Sequence, residues 1–268
     1  MNKVKKVLIA MFGLLMFPLL FACSNSQSQG VEAIKAKGKL VVALNPEFAP
    51  FEYQKLVDGK NQIVGSDVEL AKAIAKELGV EVEFSPMSFD NVLASLDSGK
   101  ADLAISGVSK TEERSQVYDF SIPYYTSKNK VIVRKSELTN YQSVKDLAQK
   151  KVGAQKGSIQ ETLVKETLQN SSLVSLPKNV NLITDLKSGQ LDALIFEEPV
   201  AKGFVENNPD LAIAEFDFDN ATEDSYAVAM KKDSKELKET VDKIIQKLKD
   251  SGELDKLIDD AFKASIEK

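Results

Sequence analysis

"LDSGKADLAISG" at residues 96–107 returns, 90 residues further along the chain, as "LKSGQLDALIFE" at residues 186–197. Each stretch aligns without a gap as a helix end, a Ser-Gly turn, an aspartate and a continuous apolar run, which is the pattern of a buried strand. A second pair in the same order, "GKLVVA" at 38–43 and "KKVGAQ" at 150–155, is typical of the opening strand of each unit. Two such matches in the same order indicate an internal duplication.

Helical patterns separate these strands. Residues 65–79, "GSDVELAKAIAKELG", predict a helix with a capping box at Ser66 and Glu69 and with Gly79 as the residue that ends it. One face of this helix is apolar: Val68, Ala71, Ile74, Ala75 and Leu78. Strands that alternate with helices favour parallel sheets. The sequence therefore predicts an α/β fold of two similar lobes with mostly parallel sheets, joined by two crossing strands.

The chain is expected to cross between the lobes twice, near residues 124–133 and 220–230. The second crossing leads into an apolar strand pattern and a final helical stretch, so the C-terminal segment returns to the first lobe. These crossings divide the chain into lobe 1, residues 31–126 plus 225–268, and lobe 2, residues 127–224.

The beginning of the chain reads as a targeting segment. Three lysines precede the apolar run 7–22, which has the length of a signal-peptide core and is short for a membrane span. "LFAC" at residues 20–23 resembles a bacterial lipoprotein signal, which implies removal of residues 1–22 and a lipid on Cys23. An ordinary secretory signal with an incidental cysteine is the alternative. Residues 23–30 read as a flexible tether, so the expected location is extracytoplasmic, lipid-anchored to the cell membrane.

Composition excludes several classes of function. The net charge is −5 and becomes −8 without residues 1–22, because three lysines and no acid are lost. This balance argues against nucleic acid as a partner. The chain has no histidine, which removes the usual general base and the commonest zinc ligand, and its single cysteine excludes an intrachain disulfide. We expect no metal site and no cofactor.

Loops that follow the strands carry the candidate ligand-binding residues, because ligands of two-lobed α/β proteins bind where strand ends converge. Arg114, one of only two arginines, follows the small residues of "SGVS" at 106–109. An arginine fork matches a carboxylate bidentately, and small residues let backbone N–H groups approach the same anion. Glu197 ends the matching strand of the other unit, where it is expected to face an ammonium group. Together they predict a clamp for an α-amino acid; a surface ion pair and a solvated strand end are the alternatives.

On six segments within residues 31–268, the chain resembles the solute-binding proteins of polar amino-acid ABC importers. The segments are "FAPFEY" (48–53), "IVGSDVELAKAIAKELG" (63–79), "SFDNVLASLDSGKADLAISGVSKTEER" (88–114), "YDFSIPYY" (118–125), "VGAQKGSIQE" (152–161) and "LDALIFEEPVA" (191–201). The resemblance implies a type II periplasmic-binding-protein-like fold that closes over an L-amino acid. It also implies delivery of that ligand to a membrane permease powered by an ATPase. We expect the protein to be a monomer.

The resemblance also implies a role for individual residues. Arg114 matches the position that binds the ligand carboxylate, and Glu197 matches the acid, more often aspartate, that takes the α-amino group. Phe48 and Phe89 match the aromatic residues that sandwich the ligand side chain, whereas Phe51 is assigned to the core. Further hydrogen bonds to the ligand are implied for loop residues: Ser106, Gly107, Ser109, Gly157 and Ser158.

Residues that read the ligand side chain are less defined. Glu47, Glu52 and Gln155 are candidates. Asn45 occupies a place where many relatives carry aspartate, which weakens the case for a cationic side chain. Ser66 replaces an aromatic residue that is usual in the family, at a position that is expected to be peripheral to the cleft. Arginine or lysine, glutamine, and cystine or another polar neutral amino acid all stay open as ligands.

Two other functions are compatible with the same scaffold. One is a carboxylate-dependent dehydratase that uses Glu197 with Glu47, although the lack of histidine and of a nucleophile–base pair disfavours it. The other is a sensing or adhesion protein, which would need a separate partner chain.

Overall fold

The computed structural model describes residues 30–168, 170–218 and 224–267, so the predicted signal peptide and Cys23 lie outside the described residues. Its strands are β1 Lys39–Leu44, β2 Glu47–Phe48, β3 Glu52–Val57, β4 Lys60–Val64, β5 Glu81–Pro86, β6 Leu103–Ala104, β7 Tyr118–Phe120, β8 Tyr125–Ser127, β9 Asn129–Arg134, β10 Lys151–Gln155, β11 Ser172–Leu176, β12 Ala193–Glu197, β13 Leu211–Ile213, β14 Asp224–Tyr226 and β15 Ala229–Lys231.

The helices surround these strands. They are α1 Val31–Lys37, α2 Ser66–Leu78, α3 Phe89–Val92, α4 Ala94–Asp97, α5 Glu112–Val117, α6 Ile159–Thr167, α7 Asn179–Lys187, α8 Glu198–Asn207, α9 Lys235–Asp250 and α10 Glu253–Ile266, with 3-10 turns at Lys135–Asn140 and Val144–Leu147. None of these helices is both long enough and apolar enough to cross a bilayer.

Two five-stranded sheets form the centres of two lobes. The first has the order β5-β1-β6-β15-β7 and the second the order β11-β10-β12-β9-β13. In the first sheet β1 pairs in parallel with β5 and β6. In the second sheet β10 pairs in parallel with β11 and β12. Strands that arrive from the other lobe, β15 and β9, pair antiparallel. The predicted two-lobed α/β fold is confirmed.

The repeated aspartate makes the same kind of hydrogen bond in both lobes. Oδ2 of Asp102 accepts a hydrogen bond from the backbone N–H of Val41 at 2.8 Å. Oδ2 of Asp192 accepts one from the backbone N–H of Lys151 at 2.7 Å. Each aspartate thus ties the end of a helix–turn segment to the first strand of its sheet. The sequence repeat is therefore a structural repeat.

The helix α2 begins differently from the prediction. No side chain caps it, and the N-cap residue is Gly65, so the capping box predicted at Ser66 and Glu69 is wrong. Gly65 has φ +132, and a Cβ atom there would lie 2.1 Å from the carbonyl oxygen of Phe51. This contact lets the backbone N–H of Asp67 bond to the same carbonyl at 2.9 Å, which leaves Ser66 as the first helical residue.

The far end and the buried face of α2 agree with the prediction. Gly79 ends the helix in the left-handed conformation, at φ +71. All five residues of the predicted apolar face are buried. The approach of α2 to Phe51 matters for function, because it brings Asp67 to the start of β3.

The chain crosses between the lobes through two short strands that pair with each other. β8 and β14 are antiparallel, with Tyr125 opposite Tyr226. This pairing supports the lobe boundaries at 126/127 and 224/225, which we keep as a proposal. Behind the crossings, α10 contacts α2 and α9 of the first lobe and α8 of the second.

Candidate ligand-binding site

The candidate site lies between the lobes, where the ends of β1 and β10 approach each other. The side chain of Gln155, at the end of β10, donates to Oδ1 of Asn45, just after β1, at 3.0 Å. Asn45 and Gln155 are 4% exposed. A direct bond between buried side chains of the two lobes shows that the lobes are closed on one another.

Arg114 reaches across this closed cleft. Thr111 caps α5 by accepting from the backbone N–H of Arg114 at 3.1 Å. The guanidinium donates to the carbonyl of Ser109 at 2.8 Å and to the carbonyl of Gly157, in the second lobe, at 3.0 Å. Two carbonyls therefore set the plane of a group whose five N–H donors suit bidentate binding of a carboxylate.

The loop that receives Arg114 is itself held by short hydrogen bonds. Ser158 caps α6, because its hydroxyl accepts from the backbone N–H of Glu161 at 3.2 Å and donates to the carbonyl of Gln155 at 2.7 Å. The Glu161 carboxylate accepts from the backbone N–H of Gly157 at 2.7 Å. The predicted ligand loop of the second lobe is thus held in place by hydrogen bonds among its own residues.

Glu197 occupies the matching strand end of the second lobe. It is 5% exposed at the end of β12, and its backbone lies opposite Asn129 in the sheet. Its charge contributes, as the smallest of five causes, to the raised pKa of Glu52 in the first lobe. The assignment of Glu197 to the ammonium group of a ligand stays a prediction.

Two fully buried carboxyls form the acidic part of the site. Glu52, at the start of β3, is 0% exposed, and its Oε1 accepts from the Ser106 hydroxyl at 2.5 Å. Asp67 is 1% exposed, and its Oδ2 accepts from the Tyr124 hydroxyl at 2.7 Å and from the Gly107 backbone N–H at 3.0 Å. The other two oxygens, Glu52 Oε2 and Asp67 Oδ1, are buried without a donor.

Burial governs the titration of these groups. Burial, and after it the neighbouring charge of Asp67, raises the pKa of Glu52 well above its ordinary value. Burial also raises the pKa of Asp67 to about 6, against the hydrogen bonds from Tyr124 and Gly107 that lower it. A desolvated carboxyl pair of this kind attracts positive charge. The pair is therefore the part of the first lobe whose chemistry favours a cation.

The predicted loop residues of the first lobe surround this pair. Ser106 and Gly107 donate to Glu52 and Asp67, and the Ser106 hydroxyl also accepts from the backbone N–H of Asn45 at 2.9 Å. Ser109 is 4% exposed, and its backbone carbonyl accepts a hydrogen bond from the Arg114 guanidinium. The direct contacts of these residues with a ligand stay a prediction.

Phe48 and Phe51 both belong to the buried core of the first lobe. Phe51 is fully buried and meets Tyr226 edge-on, with ring centroids 5.1 Å apart, so its assignment to the core is confirmed. Phe48 stacks on Phe51 at 5.6 Å, and its ring occupies the space where a side chain at Gly107 would lie. Phe89 is partly buried at the start of α3. The sandwich of a ligand side chain by Phe48 and Phe89 stays a prediction.

Glu47 lies at the rim of the cleft, in contact with the second lobe. Its carboxylate accepts from the first backbone N–H of α7, at Asn179, at 3.1 Å, and its carbonyl accepts from the Asn179 side chain at 3.2 Å. Elsewhere on the rim, Lys156 of the second lobe lies 2.9 Å from the Asp90 carboxylate of the first. Both contacts join the closed lobes; a role of Glu47 in reading the ligand stays a prediction.

Asp67 is the residue that the sequence analysis missed. An acid in the first turn of a helix is common for dipole reasons alone and attracts no attention. The available signal was its place in the helical repeat, since Asp67 precedes Ala71, Ile74 and Leu78 on the apolar face. An ionisable residue on a buried face is a candidate functional group. Across the described residues, no cluster of three or more metal-ligating side chains is present.

Comparison with known proteins places these observations in a family. The chain is 40% identical over 240 residues to the arginine-binding extracellular protein ArtP of Bacillus subtilis (strain 168), which covers 89% of this chain and 90% of that protein. It is 32% identical to the L-cystine-binding protein TcyJ of Escherichia coli (strain K12), over 88% of this chain and 86% of that protein.

A solved structure is similar along nearly the whole described chain. It is an amino acid ABC transporter substrate-binding protein, AbpA, from Streptococcus pneumoniae Canada MDR_19A, bound to L-arginine. The sequence identity is 84%, the TM-score is 0.87, and the match covers 88% of this chain and 100% of that one.

The family model for bacterial extracellular solute-binding proteins, family 3, matches residues 40–264. This match confirms the resemblance that the six sequence segments indicated. Amino-acid capture for an ABC importer, predicted from the sequence, is confirmed with it, and the family is one of solute-binding transport proteins rather than enzymes. The chain belongs to the bacterial extracellular solute-binding proteins, family 3.

Proposed function

We propose that the protein captures L-arginine outside the cytoplasm and delivers it to the permease and ATPase of an ABC importer. The observation that carries the choice of ligand is the buried pair of Glu52 and Asp67. One oxygen of each carboxyl, Glu52 Oε2 and Asp67 Oδ1, has no hydrogen-bond donor. A guanidinium brings both the positive charge and the N–H donors that this pair lacks. The arginine named for ArtP and AbpA supports the same choice.

The proposed ligand spans both lobes. Its carboxylate binds the Arg114 guanidinium, its ammonium group binds Glu197, and its side chain passes between Phe48 and Phe89 toward Glu52. Asn45 in place of an aspartate does not deprive the site of negative charge, because Glu52 and Asp67 supply it from the neighbouring strand and helix. A neutral side chain would leave two buried carboxyl oxygens unsatisfied, at a cost of about 1–3 kcal/mol for each.

Closure of the lobes completes the site. Arg114, Asn45 and Glu47 of the first lobe all bond to the second lobe in the closed arrangement. A ligand that touches both lobes stabilises this arrangement over an open one by its difference in affinity for the two states. The importer thereby receives a form of the protein that differs between loaded and empty.

We further propose that the protein is a monomer, tethered to the outer face of the cell membrane by a lipid on Cys23. The "LFAC" pattern at residues 20–23 supports the lipid site. The family of extracellular solute-binding proteins supports the location outside the cytoplasm. The carboxylate-dependent enzyme is not retained as a candidate.

The first test compares arginine with its neutral isostere citrulline. Arginine is expected to bind at least about 100-fold more tightly, because citrulline leaves the carboxyl pair without a cation. Isothermal titration calorimetry at neutral pH measures both dissociation constants, with lysine, glutamine and cystine as further ligands. Equal affinity for arginine and citrulline would show that the buried carboxyls do not read the side chain.

Arg114 and Glu197 are tested by pairing each variant with a trimmed ligand. Arg114→Ala is expected to weaken arginine by about 100-fold or more, since a buried carboxylate loses its charged partner. It should weaken agmatine, which has no carboxylate, far less. Glu197→Gln should weaken arginine far more than 5-guanidinopentanoate, which has no amino group.

Lys110→Ala serves as the matched control for Arg114→Ala, because Lys110 is an exposed cation four residues away. Its arginine affinity is expected to equal that of the wild type. If Arg114→Ala lost affinity equally for arginine and agmatine, the assignment of Arg114 to the carboxylate would be wrong.

Gly157→Ala tests closure. A Cβ atom at Gly157 would lie 3.0 Å from Cα of Asp90 in the other lobe, on a residue with φ +81. The variant is expected to release arginine about tenfold faster, because strain and contact both oppose closure. Stopped-flow fluorescence measures the rate. Gly189→Ala, with φ +78 and no atom within 4 Å, isolates the backbone strain and should release arginine at the wild-type rate.

The anchor is tested by Cys23→Ser in the full chain. Mass spectrometry of the wild-type protein from bacterial membranes should show a processed chain that starts at a lipidated Cys23. The variant should retain its signal segment or appear in the medium. A wild-type protein that is secreted without lipid would contradict the anchor, and light scattering of the released protein checks the monomer.

A further inference from the structure

The carboxyls of Glu52 and Asp67 are both buried, and the protein supplies hydrogen-bond donors to only one oxygen of each. Ser106 donates to one oxygen of Glu52, and Tyr124 and Gly107 donate to one oxygen of Asp67. Each carboxyl also has one oxygen that is buried without a donor, Glu52 Oε2 and Asp67 Oδ1. After burial itself, the neighbouring charge of Asp67 raises the pKa of Glu52. A proton on one of the two carboxyls removes one of these like charges and supplies a donor that two ionised carboxylates lack.

The charged and titratable groups that face this pair come from four parts of the fold. Glu52 begins β3, Asp67 lies in the first turn of α2, Tyr124 precedes β8, and Glu197 ends β12 across the cleft. All of them are acidic or phenolic. In the part of the chain that the structure describes, no lysine or arginine is among the groups that shift the titration of Glu52 or Asp67. Without a ligand, the shared proton is therefore the cation of this site.

We propose that Asp67 is a specificity-determining residue that acts with Glu52: the two carboxyls hold one proton between them in the unliganded protein, and a cationic side chain binds in exchange for that proton. The proposal rests on the function proposed above, since it concerns the same cation subsite. The proton passes to solvent, and one positive charge replaces another. The buried pair therefore keeps its net charge, which avoids the cost of an uncompensated buried ion.

The exchange selects for charge as well as for shape. A monocation such as the guanidinium of arginine takes the place of the proton and satisfies the oxygens that have no donor. A neutral isostere offers donors but no charge, so the proton stays and only one side of the pair is satisfied. Two coupled carboxyls thus discriminate between cationic and neutral ligands, since only a cation replaces the charge of the proton that leaves.

The pH dependence follows from the direction of the pKa shifts. Burial raises the pKa of Asp67 to about 6 and that of Glu52 well above its ordinary value, and a bound cation lowers both. At pH values where the unliganded pair holds a proton, arginine must displace it. Affinity for arginine therefore rises with pH, by about tenfold per pH unit while one proton is released, and levels off once the unliganded pair is ionised.

Calorimetry in two buffers counts the protons directly. Arginine is titrated into the wild-type protein at pH 6 in phosphate and in Bis-Tris, which have different enthalpies of ionisation. The expected result is release of about one proton per arginine and of none per citrulline. Binding of arginine with the same enthalpy in both buffers would overturn the exchange and leave the proposed function intact. Failure of arginine to bind would instead contradict the proposed function.

Variants at the pair provide the second arm. Glu52→Gln and Asp67→Asn each leave one carboxyl and an amide that donates to it, so no proton has to leave. Each is expected to abolish proton release, to flatten the pH dependence of affinity and to shift the preference for arginine over citrulline by about tenfold or more toward citrulline. Glu69→Gln, which removes an exposed acid of α2 paired with Lys72, is the matched control and should release protons as the wild type does.

Unchanged proton release in either folded variant would show that the proton comes from elsewhere and would overturn the proposal. If a variant does not fold, which circular dichroism detects, the two-buffer comparison on the wild type decides the question by itself.

Discussion

Two buried carboxyls, Glu52 and Asp67, impose the main electrostatic constraint on the first lobe, because no lysine or arginine of the described residues is among the groups that shift their pKa values. Burial of acids is costly unless donors surround them, and Ser106, Tyr124 and the Gly107 amide supply those donors. The donors reach only half of the carboxyl oxygens. In the proposed function, a cationic ligand supplies donors to the other half, and this requirement is the proposed source of selectivity.

Positioning that pair requires elements that are remote in sequence. Gly65 permits a backbone approach that a side chain would block, and this approach sets the first turn of α2 against the start of β3. Each lobe is rigid at its strand ends because an equivalent aspartate, Asp102 or Asp192, ties the repeat segment to the opening strand. Binding then needs little rearrangement within a lobe and mainly a closure between lobes. Lobes that keep their internal structure and change mainly their relative position suit a protein that must present a loaded and an empty form to a transporter.

The duplicated strand–turn pattern was enough to predict the α/β class, the two lobes and the strands whose ends carry Arg114 and Glu197. Local rules worked where only neighbouring residues are involved, as for the left-handed Gly79 that ends α2. They failed at the start of α2, where the predicted capping box gives way to Gly65. The reason is a contact with Phe51, fourteen residues earlier, which no local pattern contains.

The sequence by itself determined the family and the two-lobed fold, because these depend on periodic burial and on a repeat that survives in the residues, and it predicted Arg114 and Glu197 as the two charged groups of the clamp. Only the tertiary structure decided that Glu52 and Asp67 are both buried and accept hydrogen bonds from the consecutive residues Ser106 and Gly107. It also decided that Glu47 bonds to the opposite lobe at the rim. A carboxyl's chemistry depends on its solvent exposure and on its neighbours in space. Both are set by packing between segments that lie far apart along the chain.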